Sequence, residues 1–111
     1  MPATEISPSI RPILAELRRG LEAIYGDRLV QLVLYGSQAR GDAAPDSDID
    51  LLVVLKGPVN SGEEISRCSQ FRAALCLEHD VVVSCLHISE DRFHSEQSPL
   101  LLNVRREGIS L

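Results

Sequence analysis

The 111-residue chain has no tryptophan, and aromatic residues make up only 4% of it. Single-strand nucleic-acid binders stack bases on aromatic side chains, and a platform of that kind is excluded here. Lysine is almost absent too, with Lys56 the only one. Sixteen acidic residues face 11 basic ones, for a formal charge of −5. Free nucleic acid demands a basic footprint, so it is not an expected partner. Arg18-Arg19 and Arg105-Arg106 are the only basic doublets, and the second reads as a solvated or partner-facing strip. The three cysteines, Cys68, Cys76 and Cys85, form no Cys-x-x-Cys and lie in apolar stretches. They read as core thiols in a reducing compartment. An apolar run of about 18 residues and a charged-then-apolar leader are both missing, so neither membrane spanning nor secretion is expected, and the location is read as cytoplasmic.

What is present is Val, Ile and Leu in quantity, within an apolar fraction of 44%. The length suits one domain over 1–111, with an N-terminal helix at about 7–25 and a core at about 29–111. Ser7-Pro8 reads as a helix opening, followed by Ile10, Ile13, Leu14, Leu17, Leu21 and Ile24 at helical spacing, with Gly26 as the stop. Leu29 to Tyr35 is a buried-type strand, Ser37 to Gly41 a short helix, and Asp42 to Ser47 a loop containing Pro45. Asp48 to Leu55 is a nearly continuous apolar strand, as expected where both faces are covered. Lys56 to Gly62 is a turn region, and Ser61 with Glu64 reads as a capping box opening a helix to about Leu77. A strand at Val81 to Leu86 follows Glu78-His79-Asp80. A short helix after Ser89, a last helix from Ser98-Pro99 to Glu107 and a short strand at Ile109 to Leu111 complete the chain. Alternation of strands and amphipathic helices predicts an α/β (α+β) domain, a small mixed β-sheet flanked by helices, with the three long strands adjacent.

The chemistry lies at Tyr35-Gly36-Ser37 and Ser47-Asp48-Ile49-Asp50-Leu51. Side chains two apart on a strand share a face, so Asp48 and Asp50 converge while Ile49 points to the core. Carboxylates in an apolar strand are costly unless paired or bound to a cation, and hard oxygen ligands suit Mg²⁺. The plain alternative is a turn aspartate followed by a strand-start aspartate on an exposed edge. Gly36 allows close backbone approach, and Ser37 opens a helix whose free N–H groups suit phosphate. An ordinary N-cap would look the same. Arg40, three residues after Ser37, shares its helix face and is read either as steadying a triphosphate or as pairing with Asp42 or Asp46. Gly41 reads as the helix stop. His79, His87 and His94 lack metal-ligand spacing. His79 adjoins Asp80 and is read as an uninvolved imidazole, with substrate contact as the alternative.

Gly36-Ser37, Arg40-Gly41 and Ser47-Asp48-Ile49-Asp50-Leu51, together with the ending Asn103 to Leu111, resemble the DNA polymerase beta-type nucleotidyltransferase superfamily. Within it, the short length is similar to the minimal nucleotidyltransferase (MNT) proteins. The resemblance implies the nucleotidyltransferase fold and a two-metal Mg²⁺ site on Asp48, Asp50 and a third carboxylate. Asp80 matches the superfamily's third aspartate and would be the general base, with Glu78 the alternative. Ser37 would hydrogen-bond the terminal phosphates of ATP, beside Gly36 and Arg40. The implied reaction is AMP transfer from ATP to an acceptor hydroxyl with release of pyrophosphate. The implied partner is a HEPN-domain ribonuclease toxin, adenylylated on tyrosine and so neutralised by this antitoxin in a hetero-oligomer. Two other readings stand beside it: a module that masks such a partner by contact alone, and a small-molecule nucleotidyltransferase of the antibiotic-modifying type.

Overall fold

The computed structural model describes residues 6, 8–40 and 48–111, the side chains of residues 37 and 40 excepted. Helix α1 (Arg11–Tyr25) buries Ile13, Leu14, Leu17, Leu21 and Tyr25 along one stripe. It starts later than the sequence predicts, with Ile10 at the N-cap and no side-chain cap. Pro12 is the reason: inside a helix begun at Ser7 it would remove a hydrogen bond and clash with the preceding turn, whereas in the first turn its missing N–H costs nothing. Ser7 itself lies outside the described residues. A 3-10 turn (Gly26–Arg28) then leads into β1 (Leu29–Tyr35).

The short helix α2 (Ser37–Arg40) follows β1, and β2 (Ile49–Leu55) runs back antiparallel to it, with Leu34 opposite Leu51 and Tyr35 opposite Asp50. The predicted Asp42 to Ser47 loop and the Gly41 stop fall outside the described residues. Helix α3 (Ser61–His79) crosses over to β3 (Val83–Ser89), which lies parallel to β2. Helices α4 (Glu90–Ser95) and α5 (Pro99–Glu107) follow, each capped by the predicted serine: Ser89 accepts from the Arg92 amide and Ser98 from the Leu101 amide. Strand β4 (Ile109–Ser110) pairs antiparallel with β1, giving the sheet order β3-β2-β1-β4.

The result is a three-layer domain. One face of the sheet, with Leu32, Leu34, Ile49, Leu51, Val53 and Val83, packs under α1 and α3. The other, with Val33, Leu52, Val54 and Ile88, packs against Phe93, Leu101 and Val104 of α4 and α5. Burial of each large side chain contributes about 1.5–3 kcal/mol. β2 is an interior strand, flanked by β3 and β1, and Leu51 to Leu55 are fully buried, which accounts for its unbroken apolar run. Helices α1 and α3 meet closely at Gly20, where a Cβ would lie 2.1 Å from the Phe71 ring. Among the described residues, no helix is long and apolar enough to cross a membrane.

Two expectations fail at α3. Its N-cap is Asn60, whose side chain accepts from the Glu63 amide, and Ser61 is the first helical residue. Glu64 therefore makes no capping box. It is buried, 2% exposed, and its carboxylate accepts from the Tyr25 hydroxyl at 2.8 Å and from Arg67 Nε at 3.1 Å. The helix also runs two residues further, to His79, and β3 begins at Val83 rather than Val81.

Candidate active site

Antiparallel pairing of β1 and β2 places the end of one beside the start of the other, which brings the two sequence motifs together. Tyr35 lies directly opposite Asp50, so their side chains share a sheet face. That face is the one covered further along by α4 and α5, and Tyr35 packs at its margin. Gly36 follows with φ +75°, a conformation that L side chains rarely adopt. A Cβ built on Gly36 would lie 2.5 Å from Oδ2 of Asp50. The turn glycine and the second aspartate are thus in contact.

After Gly36 the chain enters α2, anchored by the buried Ala39 and Gln38, and the Ala39 amide donates to the Gly36 carbonyl at 3.1 Å. With four residues, α2 sums its peptide dipoles over a single turn. Any anion here would be held by local N–H groups rather than by a macrodipole. The side chains of Ser37 and Arg40, to which phosphate contacts were assigned, lie outside the described residues.

Asp48 is exposed and Asp50 half-buried. The argument that both carboxylates would be costly to bury therefore does not apply at Asp48. Asp50 has a partner interaction of its own. Its charge also reaches Tyr35, whose hydroxyl is shifted above its ordinary pKa first by burial and then by that carboxylate.

On the neighbouring strand, Ser84 is level with Asp50. Asp80 is not on β3: it ends α3 as an exposed C-cap at φ 54° and ψ 49°, its amide donating to the Cys76 carbonyl. Because β2 and β3 are parallel, their starts coincide, and Asp80 approaches the sheet at the same end as Asp48 and Asp50. The alternative carboxylate, Glu78, has a different setting. It lies 3.9 Å from His79, which is bonded to Glu16 of α1. Those three side chains group on the α1 side, the layer covering the face opposite Asp50. His79 is accordingly a helix-to-helix contact. Arg105, though exposed, is also structural, donating to the Phe93 and Glu96 carbonyls at 2.6 Å each, and the exposed Arg106 donates to Asn103 Oδ1 at 2.8 Å.

A second polar cluster, between α1, α3 and β3, had no signal in the sequence. The Tyr25 hydroxyl is 3.2 Å from Cys68 Sγ, which is 3.7 Å from His87 Nε2. Burial lowers the His87 pKa, opposed by the Glu64 charge. Burial alone would raise Glu64, but hydrogen bonds from Tyr25 and Arg67 and the charges of Arg67 and Arg28 bring it below its ordinary value. Tyr25, Glu64, Cys68 and His87 are buried, and the cluster reads as a structural tie between three elements.

The arrangement at Gly36 and Asp50, a backbone turn open to close approach beside a carboxylate, suits a phosphate ester brought in with a hard cation. Residues 14–98 match the family described as nucleotidyltransferase domain. Over 96 residues the chain is 34% identical to the "Putative protein adenylyltransferase MJ0604" of Methanocaldococcus jannaschii, covering 86% of this chain and 90% of that protein. Among solved structures it resembles a toxin-antitoxin structure with AMP-PNP, with a TM-score of 0.58 and 21% identity over 88% of this chain and 68% of the other. It also resembles a structure of a tri-AMPylated Shewanella oneidensis HEPN toxin in complex with an MNT antitoxin, with a TM-score of 0.54 and 18% identity over 92% of this chain and 67% of the other. These two structures bear on fold alone. With the glycine turn and the aspartate pair inside the matched span, the chain belongs to the nucleotidyltransferase family and is a nucleotidyltransferase.

Proposed function

We propose that this nucleotidyltransferase transfers AMP from ATP to a hydroxyl of a partner protein, acting in the cytoplasm as an MNT-type antitoxin on a HEPN ribonuclease toxin. The observation that carries the reading is the contact between Gly36 and Asp50. It joins a turn that admits phosphate to a carboxylate suited to a metal. The relative named for protein adenylylation and the neighbouring structures containing AMP-PNP and an AMPylated HEPN toxin support it.

In this reading, Gly36 lets the backbone approach the triphosphate, Ser37 donates to its terminal phosphates and Arg40 offsets their charge. Asp48 and Asp50 would hold Mg²⁺, which when bound neutralises charge on the transferring phosphate. The acceptor oxygen bonds to the α-phosphorus, the bond to the β-phosphate oxygen breaks, and pyrophosphate leaves. Asp80 takes the hydroxyl proton. Positioning and charge neutralisation supply most of the rate.

The test is incubation of the chain with a purified HEPN-domain protein, Mg²⁺ and ATP labelled on the α-phosphate. Label fixed on a HEPN tyrosine, dependent on Mg²⁺ and lost in Asp50→Asn, is the expected result. Stable complex formation with no label transferred would replace this reading with contact masking. Label moving only to a small-molecule hydroxyl would replace it with the antibiotic-type activity.

A further inference from the structure

The two edges of the sheet are unlike. On one side β4 has two residues; on the other, β3 has seven and, among the described residues, pairs only with β2. The Ile49 amide donates to the Val82 carbonyl at 2.9 Å, which fixes the phase of the β3 ladder. In a parallel ladder alternate residues turn their backbone groups toward the neighbouring strand. Ser84, Leu86 and Ile88 therefore face β2, and Val83, Cys85, His87 and Ser89 direct theirs to the open side. Arg72 donates to the Val83 carbonyl at 3.1 Å. Among the described residues nothing else caps that edge.

Exposed edges are ordinarily blunted by charge, proline, a bulge or short length. β3 has none of these: its sequence is Val-Ser-Cys-Leu-His-Ile-Ser, and its register with β2 is unbroken from Val83 to Ser89. Apolar side chains surround it in the open, with Val82 54%, Ile65 53% and Leu86 36% exposed. Between α3 and the strand runs a groove of about 260 Å³, lined by Ile65, Cys68 and Arg72 on the helix side.

We propose that a second copy of this chain covers the edge, its own β3 adding antiparallel so that the two sheets become one. The strand fits itself. On a two-fold axis through Leu86, Cys85 lies opposite His87 of the other copy and Ser84 opposite Ile88, so the outward backbone groups of Cys85 and His87 are satisfied reciprocally. Leu86, the exposed leucine of the strand, meets its own counterpart. Because β3 bears no formal charge, apposing two copies sets no like charges against each other, although the chain's net charge is −5. The Val83 carbonyl stays with Arg72. β4 is too short to accept a further strand, so the pairing closes at two copies rather than growing into a fibre. Ser84 is level with Asp50, so the far end of the second copy's β3 borders the candidate active site.

Sedimentation equilibrium of the full chain under reducing conditions should give the mass of two chains, and Leu86→Arg should halve it with an unchanged circular dichroism spectrum. In the proposed register Leu86 occupies a non-hydrogen-bonded pair with itself, with Cα atoms about 4.5 Å apart, a span that a disulfide bridges. Mild oxidation of the Leu86→Cys variant should give a covalent dimer, reversed by reductant and absent from the parent chain. Parent Cys85 offers a low background, because burial first, and then the nearby Cys68, push its thiol up to about 12. A parent chain that stays monomeric up to its solubility limit overturns the proposal. So does a dimer that survives Leu86→Arg while Leu86→Cys fails to cross-link. Should Leu86→Arg not fold, the cross-link decides alone.

Discussion

Gly36 and Asp50 are in contact across β1 and β2: a methyl group on Gly36 would stand 2.5 Å from the Asp50 carboxylate, on a backbone held at φ +75°. Neither residue can change without consequence for the other. Gly36→Ala should therefore cost about 1–3 kcal/mol from the left-handed backbone alone, push the carboxylate aside and abolish transfer. Combining it with Asp50→Ala removes the atom it strikes. Urea unfolding of the two single variants and the double should show the double to be more stable than the sum of the singles. Simple additivity would mean that the two do not touch in solution.

Asp48→Asn and Asp50→Asn preserve side-chain shape while removing charge. Each should reduce nucleotide transfer by more than about 100-fold, the scale of losing one electrostatic element of a phosphoryl-transfer site. Asp48→Asn should not lower the melting temperature, because Asp48 is exposed and losing its charge relieves like-charge repulsion when no metal is bound. Transfer persisting near the parent rate in both variants would place the metal elsewhere.

Asp80 occupies a left-handed cap, and asparagine tolerates that conformation. Asp80→Asn should keep the fold and the affinity for Mg²⁺-ATP in a calorimetric titration, yet stop transfer to the acceptor. Glu78→Gln, beside Glu16 and His79, should leave transfer unchanged. Reversal of these two outcomes would exchange their assignments.

Acid should destabilise the fold in two stages. His87 has a folded pKa below its ordinary 6.5, so the unfolded chain takes up the proton first and stability declines as pH falls below that value. Glu64, held below its ordinary 4.5, contributes stability that is complete above 4.5 and is lost as pH falls through its folded pKa. Melting temperatures across this range should fall in both stages. His87→Gln should flatten the upper stage and leave the lower one.

Tyr25→Phe removes the hydroxyl that donates to Glu64. A loss of about 1–3 kcal/mol is expected, on the scale of stripping one partner from a buried charged group. Denaturant unfolding measures it directly.

Much of this was legible in the chain because its determinants are local. The stripe from Ile13 to Leu21, the apolar run of β2, and Ser89 and Ser98 as caps each lie within a few residues of what they specify. The Asp-x-Asp spacing marked the entry to β2, although the strand begins at Ile49 and includes Asp50 but not Asp48. Gly36-Ser37 marked the turn in the same way.

What spacing could not supply was the partner across space. Glu64 three residues after Ser61 has the pattern of a capping box, but a buried tyrosine 39 positions earlier claims its carboxylate. Asn60 takes the cap in its place. Asp80 immediately precedes the apolar run Val81-Val82-Val83 and looks like the entry to a strand, yet the left-handed end of α3 keeps it off the sheet. The sequence by itself determined the elements, their order and the two halves of the candidate site, since backbone propensity and hydrophobic period act over short range. Only the tertiary structure decided that Gly36 meets Asp50, that Ser84 rather than an acid is level with it, and that β3 is left as an open edge. Those facts depend on strand order and register, which arise from packing between segments distant in the chain.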